Sequence, residues 1–216
     1  MCTLYEVLKE EIVNAMKYME DRGLNYGRSG NVSIRVKGTE YVLITPSGLP
    51  KASLTPSDVL VVTINGDVVE GVHRPTVEMP LHTTIYRRYD YVNSVIHAHG
   101  IYTTALAVAR EPLPPIVEEM VIYVGGDVRV AEYAPFGSEE LAERVAEALR
   151  ERMAALLANH GVVACGKSLQ EALEVLTLVE RVAQVYLLSK LAGKITTLPE
   201  ESVELQRKLF IERLKI

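Results

Sequence analysis

Residues 95–100 read VIHAHG, an apolar run that ends in two histidines separated by one alanine. The chain has five histidines in 216 residues, so two of them this close are informative. In an extended strand successive side chains point to opposite faces, and residues i and i+2 share a face. His97 and His99 therefore project side by side, with Ala98 turned to the other layer. Two imidazoles at the end of a strand can grip one metal ion. The alternative is a pair of polar residues leaving the core where the strand stops. On either reading, 94–99 is a strand.

A third histidine occupies the same kind of place. His160 follows the apolar run 155–157 and precedes Gly161, as His99 precedes Gly100. Three histidines at strand ends can converge on one ion. Three protein ligands with an open fourth position describe a catalytic zinc site, whereas structural sites are closed and rich in cysteine. The two cysteines, Cys2 and Cys165, do not make a metal-ligand spacing, and suggest a reduced, cytoplasmic protein. His82 follows Glu78 by four residues, so both share one helix face, and His82 is read in a supporting role. His73 lies in a loop-like stretch and is expected to be solvated. Glu78 stands near a helix start, where an acid complements the helix dipole; beside a metal it serves as general acid and base.

The pattern around these residues alternates strands and helices. Thr3 to Glu6 reads as a capping box opening a helix through Leu4, Leu8, Ile12, Ala15 and Met19, which Gly23 ends. Strands follow at 32–36, 41–44 and 59–64. Asn65-Gly66 turns the last of these into a hairpin with Val68-Val69. A helix over 76–89 accommodates Pro80 in its first turn, where a missing N–H does least harm. Beyond the strand at 94–99, three prolines mark a loop at 110–115. A strand-like segment covers 128–133. Ser138 caps a helix running to about 152, with Glu139 and Glu140 in its first turn. The strand 155–157 turns at 159–161 to pair with 162–165. Ser168 to Glu171 opens a long helix, and about 196–216 reads as a terminal helix, expected to be mobile. The whole is one α/β domain over 1–216, with a largely antiparallel sheet between helices.

Composition narrows the function. A net charge of −5 argues against a general nucleic-acid binder, which carries a basic face. There is no apolar run of about 18 residues, so no membrane span is expected. The acidic, amphipathic start MCTLYEVLKEE is unlike a signal peptide. Two loops suit an anion. GRSGN at 27–31 offers flexible backbone, a hydroxyl and an amide, and TPSG at 45–48 offers a hydroxyl and exposed N–H groups. Such backbone concavities bind phosphate with little basic charge. Neither spacing matches a Walker loop or a dinucleotide fingerprint.

In this order the pieces resemble the class II aldolase and sugar-phosphate 4-epimerase family. The matching stretches are GRSGNVSIR at 27–35, ITPSGLP at 44–50, PTVEMPLHTTIY at 75–86, VIHAHG at 95–100 and ANHGVVACG at 158–166, with APFGSEELAERVAEAL at 134–149. The length suits the family's fuculose-phosphate aldolase branch. The resemblance implies a three-layer sandwich, a mainly antiparallel sheet between helical layers, assembled as a ring-shaped homotetramer with active sites at subunit interfaces. It implies one divalent metal per subunit, zinc in most members, on His97, His99 and His160. Glu78 would be the catalytic acid/base, and whether it also touches the metal in the resting state is left open. Asn31, Ser47 and Gly48 would hold the substrate phosphate, with Ser29, Gly30 and Thr76 close by.

The implied reaction is cleavage of a ketose 1-phosphate, L-fuculose 1-phosphate foremost, to dihydroxyacetone phosphate and L-lactaldehyde through a metal-stabilised enediolate. The family's other reactions, L-ribulose-5-phosphate 4-epimerisation and methylthioribulose-1-phosphate dehydration, are the alternatives. Non-catalytic members such as the adducin domain lack the three histidines retained here. The chain also departs from the fuculose-phosphate branch. Val77 replaces a phosphate-binding serine. Arg28 replaces a small hydroxyl residue, and is either a phosphate contact or a solvated cation. Glu118 and Glu119 stand where a tyrosine lies near the aldehyde, which makes Glu119 a candidate for the altered end of the pocket. The tail LQRKLFIERLKI offers no tyrosine to protonate the leaving aldehyde.

Overall fold

A computed structural model describes residues 4–215. Thr3, which would cap the first helix, Cys2 and Ile216 lie outside the described residues. Helix α1 (Leu4–Asp21) buries Ile12, Met16 and Met19 along one stripe. It stops at Gly23, whose φ of 68° lets the Leu24 N–H reach back to the Met19 carbonyl at 2.9 Å. Strands β1 (Asn31–Arg35), β2 (Tyr41–Ile44), β3 (Leu60–Thr63) and β4 (Val68–Glu70) follow. Then come α2 (Met79–Arg88), β5 (Ser94–Ala98), α3 (Ile101–Ala109) and a π-helical turn, Met120–Val124. The remainder is β6 (Arg129–Ala131), α4 (Glu139–Leu149), β7 (Ala154–Leu157), β8 (Gly161–Gly166), α5 (Leu169–Ala192) and α6 (Glu200–Leu214).

The eight strands form one sheet in the order β4-β3-β2-β1-β5-β8-β7-β6. Every pairing is antiparallel except β6 with β7. Helices α1, α3 and α5 pack as one layer, and α2 with α4 as the other. The expected sandwich with a mainly antiparallel sheet is therefore present. β1 turns Asn31 and Ser33 toward α2, and Val32 and Ile34 toward the opposite layer. β5 lies between β1 and β8 and is buried at every position, because helices cover both of its faces.

The hairpin after Asn65-Gly66, the placement of Pro80 in the first turn of α2, and the pairing of β7 with β8 all follow the sequence reading. Ser138 and Ser168 cap α4 and α5, accepting from the N–H of Leu141 and of Glu171. Helix α3 was not expected from the sequence. Its N-terminus is held by Glu180 of α5, whose carboxylate accepts from the N–H of Tyr102 and Thr103 at 2.9 and 3.0 Å and from Thr103 Oγ1 at 2.7 Å. α6 packs Phe210 against the π-helical turn, with 1% of that residue exposed. None of the described helices is long and apolar enough to cross a membrane.

Candidate active site

The register of the sheet builds the site. Asn31 at the start of β1 pairs with His97 of β5, which pairs with Val163 of β8. His99 lies just past the end of β5, and His160 in the turn between β7 and β8. Three neighbouring segments thus deliver three imidazoles to one sheet end, and a nitrogen from each lies within 4.8 Å of the others. The ring centroids of His97 and His99 and of His97 and His160 are 4.6 Å apart, and those of His99 and His160 are 5.1 Å apart. Gly161 permits this closeness. A Cβ on it would lie 2.4 Å from the Ala98 carbonyl oxygen and 3.3 Å from ring carbons of His97 and His99.

His97 is prepared for ligation. Its Nδ1 lies 3.1 Å from the Val162 carbonyl, which can only accept, so Nδ1 carries the proton and Nε2 presents a lone pair. Nε2 of His97 faces Nε2 of His99 at 2.7 Å. Burial pushes the His97 imidazole down to about 3, with the charge of His160 adding to the shift. Burial, then His97 and His160, push His99 down to about 3 as well. Both rings are therefore neutral donors near neutral pH.

Glu78 sits at the mouth of α2 and is 7% exposed. Its Oε2 lies 3.2 Å from His97 Nε2 and accepts from Asn31 Nδ2 at 2.8 Å. Its Oε1 is 3.5 Å from His160 Nε2, and is buried with no hydrogen-bond partner among the described residues. Two neutral imidazoles, a third close by and a carboxylate oxygen in want of a partner are a donor set that fits a divalent ion.

The two glycine-containing loops flank this cluster. Ser47 N–H donates to the Arg74 carbonyl at 2.9 Å and Thr76 N–H to the Thr45 carbonyl at 3.1 Å, which ties 45–48 to the segment leading into Glu78. Thr76 is buried, and its hydroxyl accepts from the Glu78 N–H at 3.4 Å. Gly48 is exposed with a φ of 76°. Gly30, with a φ of 74°, leaves room for the Asn25 amide, which a Cβ would strike at 2.2 Å. Ser29 Oγ is committed to its own turn, accepting from Tyr26 N–H at 3.1 Å and donating to the Tyr26 carbonyl at 2.8 Å. Arg28 and Glu119 are exposed, and neither is hydrogen-bonded to the cluster among the described residues.

Some participants were missed or misjudged from sequence. The His99 N–H donates to the Leu24 carbonyl at 3.0 Å and more weakly to Asn25 Oδ1 at 3.4 Å, so the segment 24–25 braces a proposed ligand. Lys51 is buried, donates to the Pro46 carbonyl at 2.8 Å and ties its own N–H to Gly27, beneath both loops. His73 is not simply solvated; its Nε2 pairs with Asp58 at 2.9 Å. Ser33 was legible as a polar residue inside an apolar strand, and its partner is His82 at 2.7 Å.

A sheet-and-helix sandwich that gathers three imidazoles and a buried carboxylate at one sheet end defines the class: an α/β protein built around a cluster able to hold a metal ion. The model of the class II aldolase and adducin N-terminal domain family matches residues 10–187. A 5-deoxy-D-ribulose 1-phosphate aldolase of Bacillus thuringiensis serovar kurstaki is 36% identical over 202 residues, 94% of each chain. The L-fuculose phosphate aldolase of Escherichia coli K12 is 37% identical over 180 residues, 83% of this chain and 82% of that one. A solved structure of an L-fuculose 1-phosphate aldolase superposes with a TM-score of 0.91 at 40% identity, covering 95% of this chain and 96% of that one. The chain belongs to the class II aldolase family. It is a lyase of the aldolase type, and the relatives named above are aldolases of sugar phosphates.

Proposed function

We propose that this chain is a cytoplasmic, zinc-dependent aldolase that cleaves a ketose 1-phosphate to dihydroxyacetone phosphate and an aldehyde, with L-fuculose 1-phosphate as substrate and L-lactaldehyde as product. The observation that carries the reading is the convergence of the three imidazoles on one point beside Glu78, whose buried Oε1 has no hydrogen-bond partner among the described residues. His97, His99 and His160 would hold the ion. Zinc bound there supplies Lewis-acid polarisation of the substrate's oxygens. Glu78 moves the proton: it returns one to the enediolate carbon after cleavage, and removes one from dihydroxyacetone phosphate in the reverse direction.

The phosphate is remote from the bond that breaks, so its binding energy serves to orient that bond. Asn31, Ser47, Gly48 and Thr76 are the proposed phosphate ligands, with Ser29, Gly30 and Arg28 at the rim. Glu119 is proposed at the aldehyde end. A homotetramer with sites at its subunit interfaces is part of the same proposal. Exposed Val185, Leu188 and Leu191 on α5 support an assembled state, since apolar residues in a row favour contact.

A second substrate has a specific observation behind it. The relative named for 5-deoxy-D-ribulose 1-phosphate spans 94% of both chains. That substrate shares the dihydroxyacetone phosphate half and would release acetaldehyde, one CHOH unit shorter than lactaldehyde. Measuring kcat/KM of the zinc-loaded protein on both substrates tests the proposal. Preference for L-fuculose 1-phosphate supports the first reading and preference for the deoxypentulose phosphate the second. Cleavage of neither, with L-ribulose 5-phosphate epimerised instead, would overturn both.

A further inference from the structure

Behind Glu78 runs a line of buried polar groups that metal binding does not use. Asn31 donates through Nδ2 to Glu78 Oε2 at 2.8 Å, and its Oδ1 lies 2.5 Å from His82 Nε2. His82 Nδ1 lies 2.7 Å from Ser33 Oγ, which lies 2.7 Å from the Tyr86 hydroxyl. The Tyr86 hydroxyl also lies 3.0 Å from the Ser33 carbonyl, so its single proton is shared between that oxygen and Ser33 Oγ when Ser33 donates to His82. Asn31 is 3% exposed, and Ser33, His82 and Tyr86 are fully buried.

As far as Ser33, the donors in this line are fixed from its carboxylate end. A carboxylate accepts, so Asn31 must turn its NH2 group toward Glu78 and its carbonyl toward His82. A carbonyl only accepts, so His82 Nε2 carries the proton. In the neutral ring Nδ1 is then an acceptor, and Ser33 donates to it. Burial, which pushes His82 down to about 3, keeps that ring neutral.

The line also has a geometric origin. Glu78, His82 and Tyr86 recur every four residues along α2, a rise of about 6 Å per step. Asn31 and Ser33 recur every two residues along β1, a rise of about 6.6 Å. The near-equal steps let one helix stripe meet one strand face rung by rung.

We propose that His82, acting through Asn31, is a positioning residue that fixes the Glu78 carboxylate with Oε2 tethered and Oε1 free to exchange the proton. The proposal rests on the reading of Glu78 as acid/base. It also gives Asn31 two duties, because one Nδ2 hydrogen steers Glu78 and the other remains for substrate.

The test compares His82→Phe, which removes the donor, with His82→Gln, which keeps an N–H at the Nε2 position. In the zinc-loaded protein one measures solvent-deuterium exchange into dihydroxyacetone phosphate, kcat and bound metal. In the metal-free protein, 15N spectra report the His82 tautomer. His82→Phe should slow exchange and kcat about 10–100-fold, the usual effect of an outer partner. Metal should stay at wild-type stoichiometry, His82→Gln should recover most of the rate, and the wild-type ring should show a protonated Nε2. Wild-type exchange in His82→Phe overturns the proposal, as does a Gln variant no better than Phe, or a ring protonated on Nδ1. Should His82→Phe not fold, Ser33→Ala, which strips His82 Nδ1 of its donor, is judged by the same standards. Glu78→Gln run in parallel separates the two levels: wild-type exchange there removes the acid/base reading itself.

Discussion

Replacing Gly161 by alanine adds one methyl group at the point where β8 passes closest to β5. The new Cβ would lie 2.4 Å from the Ala98 carbonyl oxygen, with His97 and His99 ring carbons at 3.3 Å. The oxygen contact must lengthen by at least about 0.6 Å to become tolerable, and its partner is backbone that cannot rotate away. The strands must therefore part, and the His160 turn moves with β8 away from the two histidines carried by β5. Overpacking of this kind costs about 1–3 kcal/mol. At about 2–4 °C per kcal/mol for a chain of this size, the metal-free protein should melt several degrees lower. A displacement approaching 1 Å at a reacting centre costs on the order of 10²-fold in rate. Thermal melting of metal-free protein, zinc titration against a competing chelator, and turnover would be read together. Wild-type values for all three would refute the argument that Gly161 is required by the approach of the His160 turn to β5.

Glu78→Gln should keep bound metal while losing about 10²–10⁴-fold in turnover, which metal analysis and initial rates check together. Acid should destabilise the metal-free protein. His82, His97 and His99 titrate near 3 when folded, against 6.5 when unfolded, so the unfolded chain binds more protons between those values. The stability from keeping the rings neutral is present above about pH 6.5 and is lost as pH falls toward 3, and a urea-derived stability flat from pH 7 to pH 4 would contradict it. Lys51 shows the corresponding effect on the basic side, since burial lowers its ammonium to about 8 from 10.5. The unfolded chain then binds more protons between pH 8 and 10.5, so the burial penalty is present below 8 and relieved above it. Lys51→Met should stabilise the protein by about 1–3 kcal/mol at pH 7, less the lost bond to Pro46, and by much less at pH 10; equal gains at both pH values would contradict the assignment.

The metal cluster was legible because its chemistry restricts residue type and its geometry follows from strand alternation. His97 and His99 share a face on any extended backbone, and the glycine after His160 marked a turn of the same kind. The sandwich was legible for a similar reason: Asn65-Gly66 and the turn at 159–161 announce hairpins locally. What escaped was non-local. Helix α3 starts without a cap of its own, because Glu180, far away on α5, satisfies its first N–H groups. The parallel pairing of β6 with β7 spans a helical crossover and leaves no short-range signal. Asn31 read as a phosphate ligand because its place in GRSGN suggests one. Its bond to Glu78 depends on β1 lying beside α2, which neither segment encodes alone.

Release of dihydroxyacetone phosphate by metal-stripped and zinc-restored protein, with L-fuculose 1-phosphate and 5-deoxy-D-ribulose 1-phosphate supplied in turn, tests the central claim most directly. The account predicts that chelation abolishes release, that about one zinc per chain restores it, and that His97→Ala protein is not restored. Undiminished release from protein shown to be free of metal, or full restoration of His97→Ala, would contradict it.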